Sequence, residues 1–507
     1  MTIPFLGNNK NLKILFVASE AAPFAKVGGL GEVMRSLPRA IRKLGHDARV
    51  FIPKYATIDV EKYPMKREVE DLNFETEDVD PHGLLVSNVL SHKDPDNDSI
   101  TYFLENMEYY EKRANVYGYK DDTTRWVLLS RGALEFIKRS EWKPDIVIAS
   151  DWQTGFAPNL METKFKDDPV LSDIATLFSI HNLRYQGMFD ARFVSEIDAD
   201  SGQGPVPDFT DPIILKLNGM RRGILYADLI NTVSPTYAKE ILTPEFGEKL
   251  NEILKERRSF LSGVMNGIDC DEFNPSKDPD IPVHYSIKTM ARQRPKNRLA
   301  LQEKMGLPRD DEVFIMGFVG RLSDQKGINL LSEIAPSLFE NLPFQLVVVG
   351  TGDTKYREFF QDLSQKYPNR MATHLFYDDK LPKLIFAGAD AILVPSKYEP
   401  AGLVPMEAMH YGAIPIVRKT GGMADSVEDY VPGENRGAGF VFDKFDQYAL
   451  LIAIIRAWQA HRNKKEWHDL IKRGMSQDFS WVKSAKEYIS LCEKAIKVHK
   501  EKAETAK

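Results

Sequence analysis

Ten short apolar runs, five in each half of the chain, constrain the possible folds more than any other feature of this sequence. The first five are KILFVAS (13–19), DARVFIP (47–53), DIVIAS (145–150), ATLFSI (175–180) and LINTVS (229–234). The second five are VFIMGFVG (313–320), FQLVVVG (344–350), MATHLFY (371–377), AILVPS (391–396) and AIPIVR (413–418). Runs this short and this evenly apolar read as strands buried on both faces. Longer amphipathic stretches fill most gaps, including GEVMRSLPRAIRKLG, RWVLLSRGALEFIKR and YREFFQDLSQKY. Strands alternating with helices predict an α/β fold with parallel sheets.

The series restarts after SGVMNGIDCDEFNPSKDPDIP (262–282), whose Gly, Pro, Asp and Asn suit a linker. A boundary is therefore expected at 265/266. Segment 55–123 reads as irregular and polar, with DPDNDS a hairpin or loop. Beyond Trp481, one helical stripe of Val482, Ala485, Ile489, Cys492 and Ile496 is expected, followed by a frayed Lys/Glu/Ala tail.

Length and composition bound the function. At 507 residues the chain has room for about three domains, or two large ones. A hydrophobic share of 43% and a formal charge of -6 fit a soluble globular protein and argue against a general nucleic-acid surface. The two cysteines, Cys270 and Cys492, form no CxxC or metal-like spacing. That excludes a disulfide framework and fits a reducing, cytoplasmic compartment. The N-terminal segment lacks a basic-then-apolar signal pattern, and no run approaches the roughly 20 apolar residues of a membrane span.

In open α/β sheets, ligands bind outside the carboxyl ends of the strands, so the residues following each run carry the chemistry. After the first run comes KVGGLGEV, where Lys26 stands beside Gly28 and Gly29 at a helix start. Bare amides plus an ammonium suit a phosphate-sized anion, although Gly-Gly also serves simple tight packing. DWQTG puts Asp151 and Trp152 at a strand end, suited to a polyhydroxylated ligand or to a helix cap with a packed indole. HNLRYQG gathers His181, Asn182, Tyr185 and Gln186, more polar groups than a core would hold. In the second half, VGRLSDQKG offers Arg321 and Lys326, two cations suited to a diphosphate leaving group. In SKYEPAGLVPMEAMHYG, Glu399 is expected in the loop and Glu407 within a helix that starts at the Gly402 and Leu403 amides. No DxD-like carboxylate pair ends a strand of the second half, so no metal is indicated.

These motifs, with INTVSPTYAKEI, SGVMNGID and KTGGMADSV, stand in the order seen in bacterial glycogen synthases and plant starch synthases. The chain resembles that family from about Leu12 to Trp481, and YFLENMEYYEKRANVYGY (102–119) resembles its sugar-side loop. The Glu399-x7-Glu407 spacing also resembles the wider class of retaining GT-B glycosyltransferases. Three positions differ from the common pattern: Val27 where many members carry Thr, Ala401 where Cys is usual, and Glu407 where many carry Gln.

The resemblance implies two Rossmann-like domains, 1–265 and 266–478, facing across a deep cleft, with 479–507 a helix crossing back to the first. It implies an acceptor glucan on the first domain and ADP-glucose or UDP-glucose on the second, with no cofactor. Lys26, Arg321 and Lys326 would hold the diphosphate with the amides of Gly29, Gly402 and Leu403. Asp151, His181, Asn266 and Glu399 would surround the glucose, and Tyr377 would stack on the base. Gly28, Trp152, Asn182, Glu407, Thr420, Gly421 and Gly422 complete the expected substrate-binding set. The implied reaction is glucosyl transfer to an α-1,4-glucan end (glycogen or a maltooligosaccharide) with retention. Transfer to another acceptor, such as sucrose or a lipid-linked sugar, and glucan binding without catalysis are the competing readings.

Overall fold

The computed structural model describes residues 11–72, 74, 85–195 and 197–505. The chain forms two units. One holds the residues up to Val233, Ala238–Val264 and the segment from Trp481 onward; the other holds Ser234–Tyr237 and Met265–Ser480.

The first unit is built on β1 (Lys13–Val17), β2 (Asp47–Pro53), β3 (Lys66–Val69), β4 (Asn88–Lys93), β5 (Ile100–Glu105), β6 (Ile146–Ser150), β7 (Ala175–Ile180), β8 (Leu229–Thr232) and β9 (Leu261–Gly263). They form one sheet in the order β3-β4-β5-β2-β1-β6-β7-β8-β9. Ile14, Leu15, Phe16 and Val17 have no exposed surface, because helices cover both faces of a parallel sheet. β4 alone runs antiparallel to its neighbours, β3 on one side, with a register shift between Arg67 and Val69, and β5 on the other. The DPDNDS stretch turns β4 into β5, where the Asp98 amide donates to the Asp94 carbonyl at 2.9 Å. Segment 55–123 is thus not irregular, as the sequence suggested. It holds three strands, whose charged edge member KREV (β3) hides the pattern.

The second unit carries β10 (Phe314–Val319), β11 (Phe344–Val349), β12 (Met371–His374), β13 (Ala391–Val394), β14 (Ile414–Arg418) and β15 (Phe440–Phe442). All pairs are parallel, in the order β12-β11-β10-β13-β14-β15. Asp390, 4% exposed, ties the middle of this sheet together. One carboxylate oxygen accepts the Ile315 amide at 2.8 Å, and the other meets the Arg298 guanidinium. Burial opposes that anion, yet Arg298 and His461 hold its carboxyl well below the usual range.

The helix Trp481–Thr505 belongs to the first unit, packing on β7 and on the helix Gly29–Lys43. Its buried stripe is Trp481, Ser484, Ala485, Tyr488, Cys492 and Ala495. The expected stripe is met at Ala485 and Cys492, while Ile489 and Ile496 are half-buried at its margin and Val482 is exposed. Small residues let the helix approach the sheet, so the aliphatic positions lie at its margin. The expected fray is absent through Thr505, since Lys502 reaches Glu162 at 2.6 Å and His499 reaches Asp228 at 3.0 Å. Tyr488 donates no side chain to solvent and shares a 2.9 Å hydrogen bond with the Asn231 amide group.

Tyr488→Ala should destabilise the first unit by about 3–5 kcal/mol, the usual cost of emptying a buried aromatic site. Tyr488→Phe should cost about 1–3 kcal/mol, because Asn231 is left without that partner. Urea unfolding of the full chain, followed at the first unit's transition, reads both values.

Candidate active site

Strand order creates a crevice in each sheet. In the first, β1 and β6 are neighbours while their following connections leave toward opposite ends of the strand order. In the second, β10 and β13 have the same relation. Such switch points are where open α/β sheets bind ligands. The loops that leave them carry KVGGLGEV and Asp151 in one unit, and VGRLSDQKG and SKYEPAG in the other.

In the first unit, Asp151 adopts a left-handed backbone conformation, with φ 57°. Its Oδ1 accepts the His181 amide at 2.7 Å and the Asn182 amide at 3.1 Å, joining the loops after β6 and β7. Burial pushes the Asp151 carboxyl up to about 7, against those two N–H groups, which favour the anion. Burial also pulls the His181 imidazole down to about 4, so it is neutral at physiological pH. Its Nε2 is buried without a hydrogen-bond partner, a donor or acceptor kept in reserve. Lys26 is exposed and pairs with Glu32 at 3.1 Å.

In the second unit, Arg321 is exposed and donates to Gln325 at 3.2 Å. Lys326 donates to Glu399 Oε2 at 2.6 Å, and Ser396 Oγ donates to the same oxygen at 2.9 Å. The loops after β10 and β13 are further joined by the Lys397 amide, which donates to the Gln325 carbonyl at 2.8 Å. Glu399 lies in the loop, and the helix Leu403–His410 begins at Gly402, with Glu407 inside it and half-buried. Asn266 is buried with its Oδ1 unpartnered. Tyr377 is 80% exposed beside the exposed Phe376, an open aromatic platform.

Several expected residues also make contacts inside the fold. Trp152 is buried edge-on against Trp126, with centroids 6.4 Å apart, a placement that matches a packed indole. Gln186 is spent inside the fold on Glu248 and Asn218. The Gly28 amide goes to the Glu20 carboxylate at 3.2 Å rather than outward. Asn182 turns its Oδ1 to the Arg184 amide at 3.1 Å. Thr420 is buried, and the Gly422 amide donates to the Glu399 and Pro400 carbonyls at 3.1 and 3.0 Å. Gly421 has φ 47°, and a Cβ there would lie 2.1 Å from the Glu399 carbonyl oxygen. KTGGMADSV therefore shapes the Glu399 loop from behind. Sequence reasoning missed Ser396 and Glu20; the signal for each was a polar residue directly ending a buried strand.

Among the described residues of the first unit, one cluster has ligand atoms close enough for a metal: Glu162, Asp228 and His499. The Lys502 ammonium already stands there, 2.6 Å from Glu162 and 3.6 Å from Asp228, and supplies the balancing positive charge.

Residues 13–256 match the family described as "Starch synthase catalytic domain", and residues 301–476 match "Glycosyl transferases group 1". The chain is 39% identical over 495 residues to a glycogen synthase of Thermotoga petrophila, covering 96% of this chain and 99% of that one. It is 40% identical over 488 residues to a glycogen synthase of Clostridium perfringens, at the same two coverages. The chain belongs to the glycogen and starch synthase family. It is a glucosyltransferase with the GT-B fold. The catalytic domain of starch synthase IV from Arabidopsis thaliana, solved bound to ADP and acarbose, superposes with a TM-score of 0.82 at 29% identity, covering 96% of this chain and all of that one. A sucrose-phosphate synthase from Thermosynechococcus elongatus shares the fold, with a TM-score of 0.56 at 17% identity and coverages of 95% and 98%.

In this glucosyltransferase the glycines behind Glu399 generate a sharp expectation. Gly421→Ala must shift the Glu399 backbone, and a misplacement of about 1 Å can cost on the order of 100-fold in turnover. Steady-state kinetics beside circular dichroism should show that loss in kcat with the fold retained.

Proposed function

We propose that this enzyme transfers glucose from ADP-glucose, or less readily UDP-glucose, to the 4-hydroxyl at the non-reducing end of an α-1,4-glucan, with retention. The carrying observation is the set Arg321, Lys326 and Glu399 on the two loops that leave the switch point of the second unit's sheet. The ADP in the Arabidopsis starch synthase structure supports adenine over uracil. The platform of Tyr377 offers a stacking surface for the base. Both cysteines are free, in keeping with a cytoplasmic enzyme. No helix among the described residues is long and apolar enough to cross a membrane.

Arg321 and Lys326 hold the diphosphate and stabilise its growing charge as the C1–O bond breaks. The amides of Gly402 and Leu403 aid them from a helix start, and Lys26 with the Gly29 amide does so from the first unit. Glu399 orients the sugar, with Asn266 and the neutral His181 as hydrogen-bonding partners. Asp151, as the anion, stabilises positive charge developing at C1. Retaining hydrolases instead use a carboxylate nucleophile with a second carboxyl group about 5 Å away. Glu399 is a poor nucleophile here, because an ammonium and a hydroxyl both hold its Oε2. Front-face displacement follows, with the departing phosphate taking the proton of the acceptor hydroxyl.

Radiolabelled ADP-glucose and UDP-glucose, each offered with glycogen, test the reading. Chain extension releasable as maltose by β-amylase supports it; glucan binding without nucleotide release rejects it. Arg321→Ala/Lys326→Ala should lower turnover by at least ~10²–10³. Near-normal transfer by that folded variant would remove the diphosphate assignment.

The pH dependence has a definite sign. The Asp151 carboxyl titrates near 7 and must be ionised to stabilise C1. kcat/KM should therefore fall as pH drops through about 7, while His181, neutral down to about 4, adds no limb between. The residual activity of Asp151→Asn should lose this acidic limb.

A further inference from the structure

The residues after β1 already contain an anion of their own. Glu20 is 2% exposed, and its carboxylate turns back into the loop it precedes. Oε2 accepts the Val27 amide at 2.5 Å, both oxygens accept the Gly28 amide at 3.2 Å, and Oε1 accepts the Gly31 amide at 3.2 Å. The helix Gly29–Lys43 starts inside this ring of donors, and the Gly29 amide is not among those Glu20 takes. A helix N-terminus leaves its first N–H groups unsatisfied, so the carboxylate decides which of them stay available.

The backbone on the other side of Glu20 is held as well. The Ser19 carbonyl accepts the Tyr55 hydroxyl at 2.6 Å, and Ser19 Oγ shares a 2.8 Å hydrogen bond with the Tyr117 hydroxyl. Glu20 therefore cannot swing away without breaking a buried network. Burial raises its pKa, while the three amides and Lys26 favour the anion. A neutral side chain of the same shape could accept from these amides with only one oxygen.

We propose that Glu20 is a positioning residue for the sugar nucleotide, closing the Val27, Gly28 and Gly31 amides from inside so that the loop presents Lys26 and the Gly29 amide, which Glu20 leaves untaken, to the diphosphate. The inference rests on the glucosyl-transfer reading above. Glu20 touches no reacting atom in this scheme. It acts by denying the phosphate the inner amides, which would draw the donor too deep, and by holding the outer ones still.

The test measures Glu20→Gln and Glu20→Asp against wild type for donor KM, glucan KM, kcat and ADP affinity by titration calorimetry. Losing charge-assisted hydrogen bonds should raise the donor KM of Glu20→Gln about tenfold or more and weaken ADP to a similar degree. Its glucan KM should stay within about twofold of wild type, and Glu20→Asp should recover part of the donor affinity. A merely structural Glu20 would lower the unfolding temperature and leave donor KM and ADP affinity unchanged. That result overturns the proposal, as does a loss confined to glucan KM. If Glu20→Gln fails to fold, Glu20→Asp is read by the same two criteria. Wild type inactive with both donors would overturn the transfer reading itself; ADP affinity then still decides Glu20, equal values for wild type and variant ending the proposal.

Discussion

The hydrogen bond from loop amide to strand-end carboxylate governs how this enzyme builds its site. Asp151 accepts two amides from the loop after β7, and Glu20 accepts three from its own loop. In the other sheet, Glu399 is gripped by Lys326 and Ser396 across neighbouring loops. A loop outside a parallel sheet has no ladder to satisfy its N–H groups, and water would leave it mobile. A carboxylate can accept several charge-assisted hydrogen bonds at once, so one side chain replaces a ladder. The cost is a desolvated anion, visible in the raised carboxyls of Asp151 and Glu20. That cost falls at the chemistry, where a perturbed carboxylate is useful.

How much of this could be read from the sequence differs by kind of interaction. All ten apolar runs are strands, because burial on both faces writes itself directly into composition. The strand order left no such trace: that β1 lies beside β6, and β10 beside β13, depends on contacts over long separations. Yet the order is what brings Asp151 beside the Lys26 loop's strand, and Glu399 beside Lys326. The edge hairpin was missed since KREV is exposed and charged, as sheet edges often are. In the final helix Ala485 and Cys492 were read correctly, but Ser484, Tyr488 and Ala495 were missed, since two of them bury by being small and one carries a hydroxyl.

The motif residues divide along the same line. Lys326 pairs with Glu399 in one unit, and Asp151 takes the His181 amide in the other, and their types alone suggested it. Trp152 and the KTGG glycines look identical in sequence whether they touch a ligand or support what does. Only packing separates the cases: Trp152 lies on Trp126, and Gly421 lies under the Glu399 carbonyl. Glu20 is the converse case, a residue with no motif of its own that organises the motif beside it.

The cations of the proposed diphosphate clamp are engaged without a ligand, Lys26 with Glu32 and Lys326 with Glu399. Lys326 is half-buried and Lys26 exposed, so the pairing weighs most at Lys326. An ammonium near a low-dielectric wall without a counter-ion would swing into water. A resident carboxylate holds each ammonium in place, and in the proposed scheme an arriving diphosphate would exchange one anion for another. The exchange has a second consequence in the second unit. In the proposed scheme, Lys326 turning to phosphate would leave Glu399 Oε2 with Ser396 and room to accept from a sugar hydroxyl. Under that proposal donor binding and sugar orientation would be one event, and neither residue could be replaced without disturbing the other's partner.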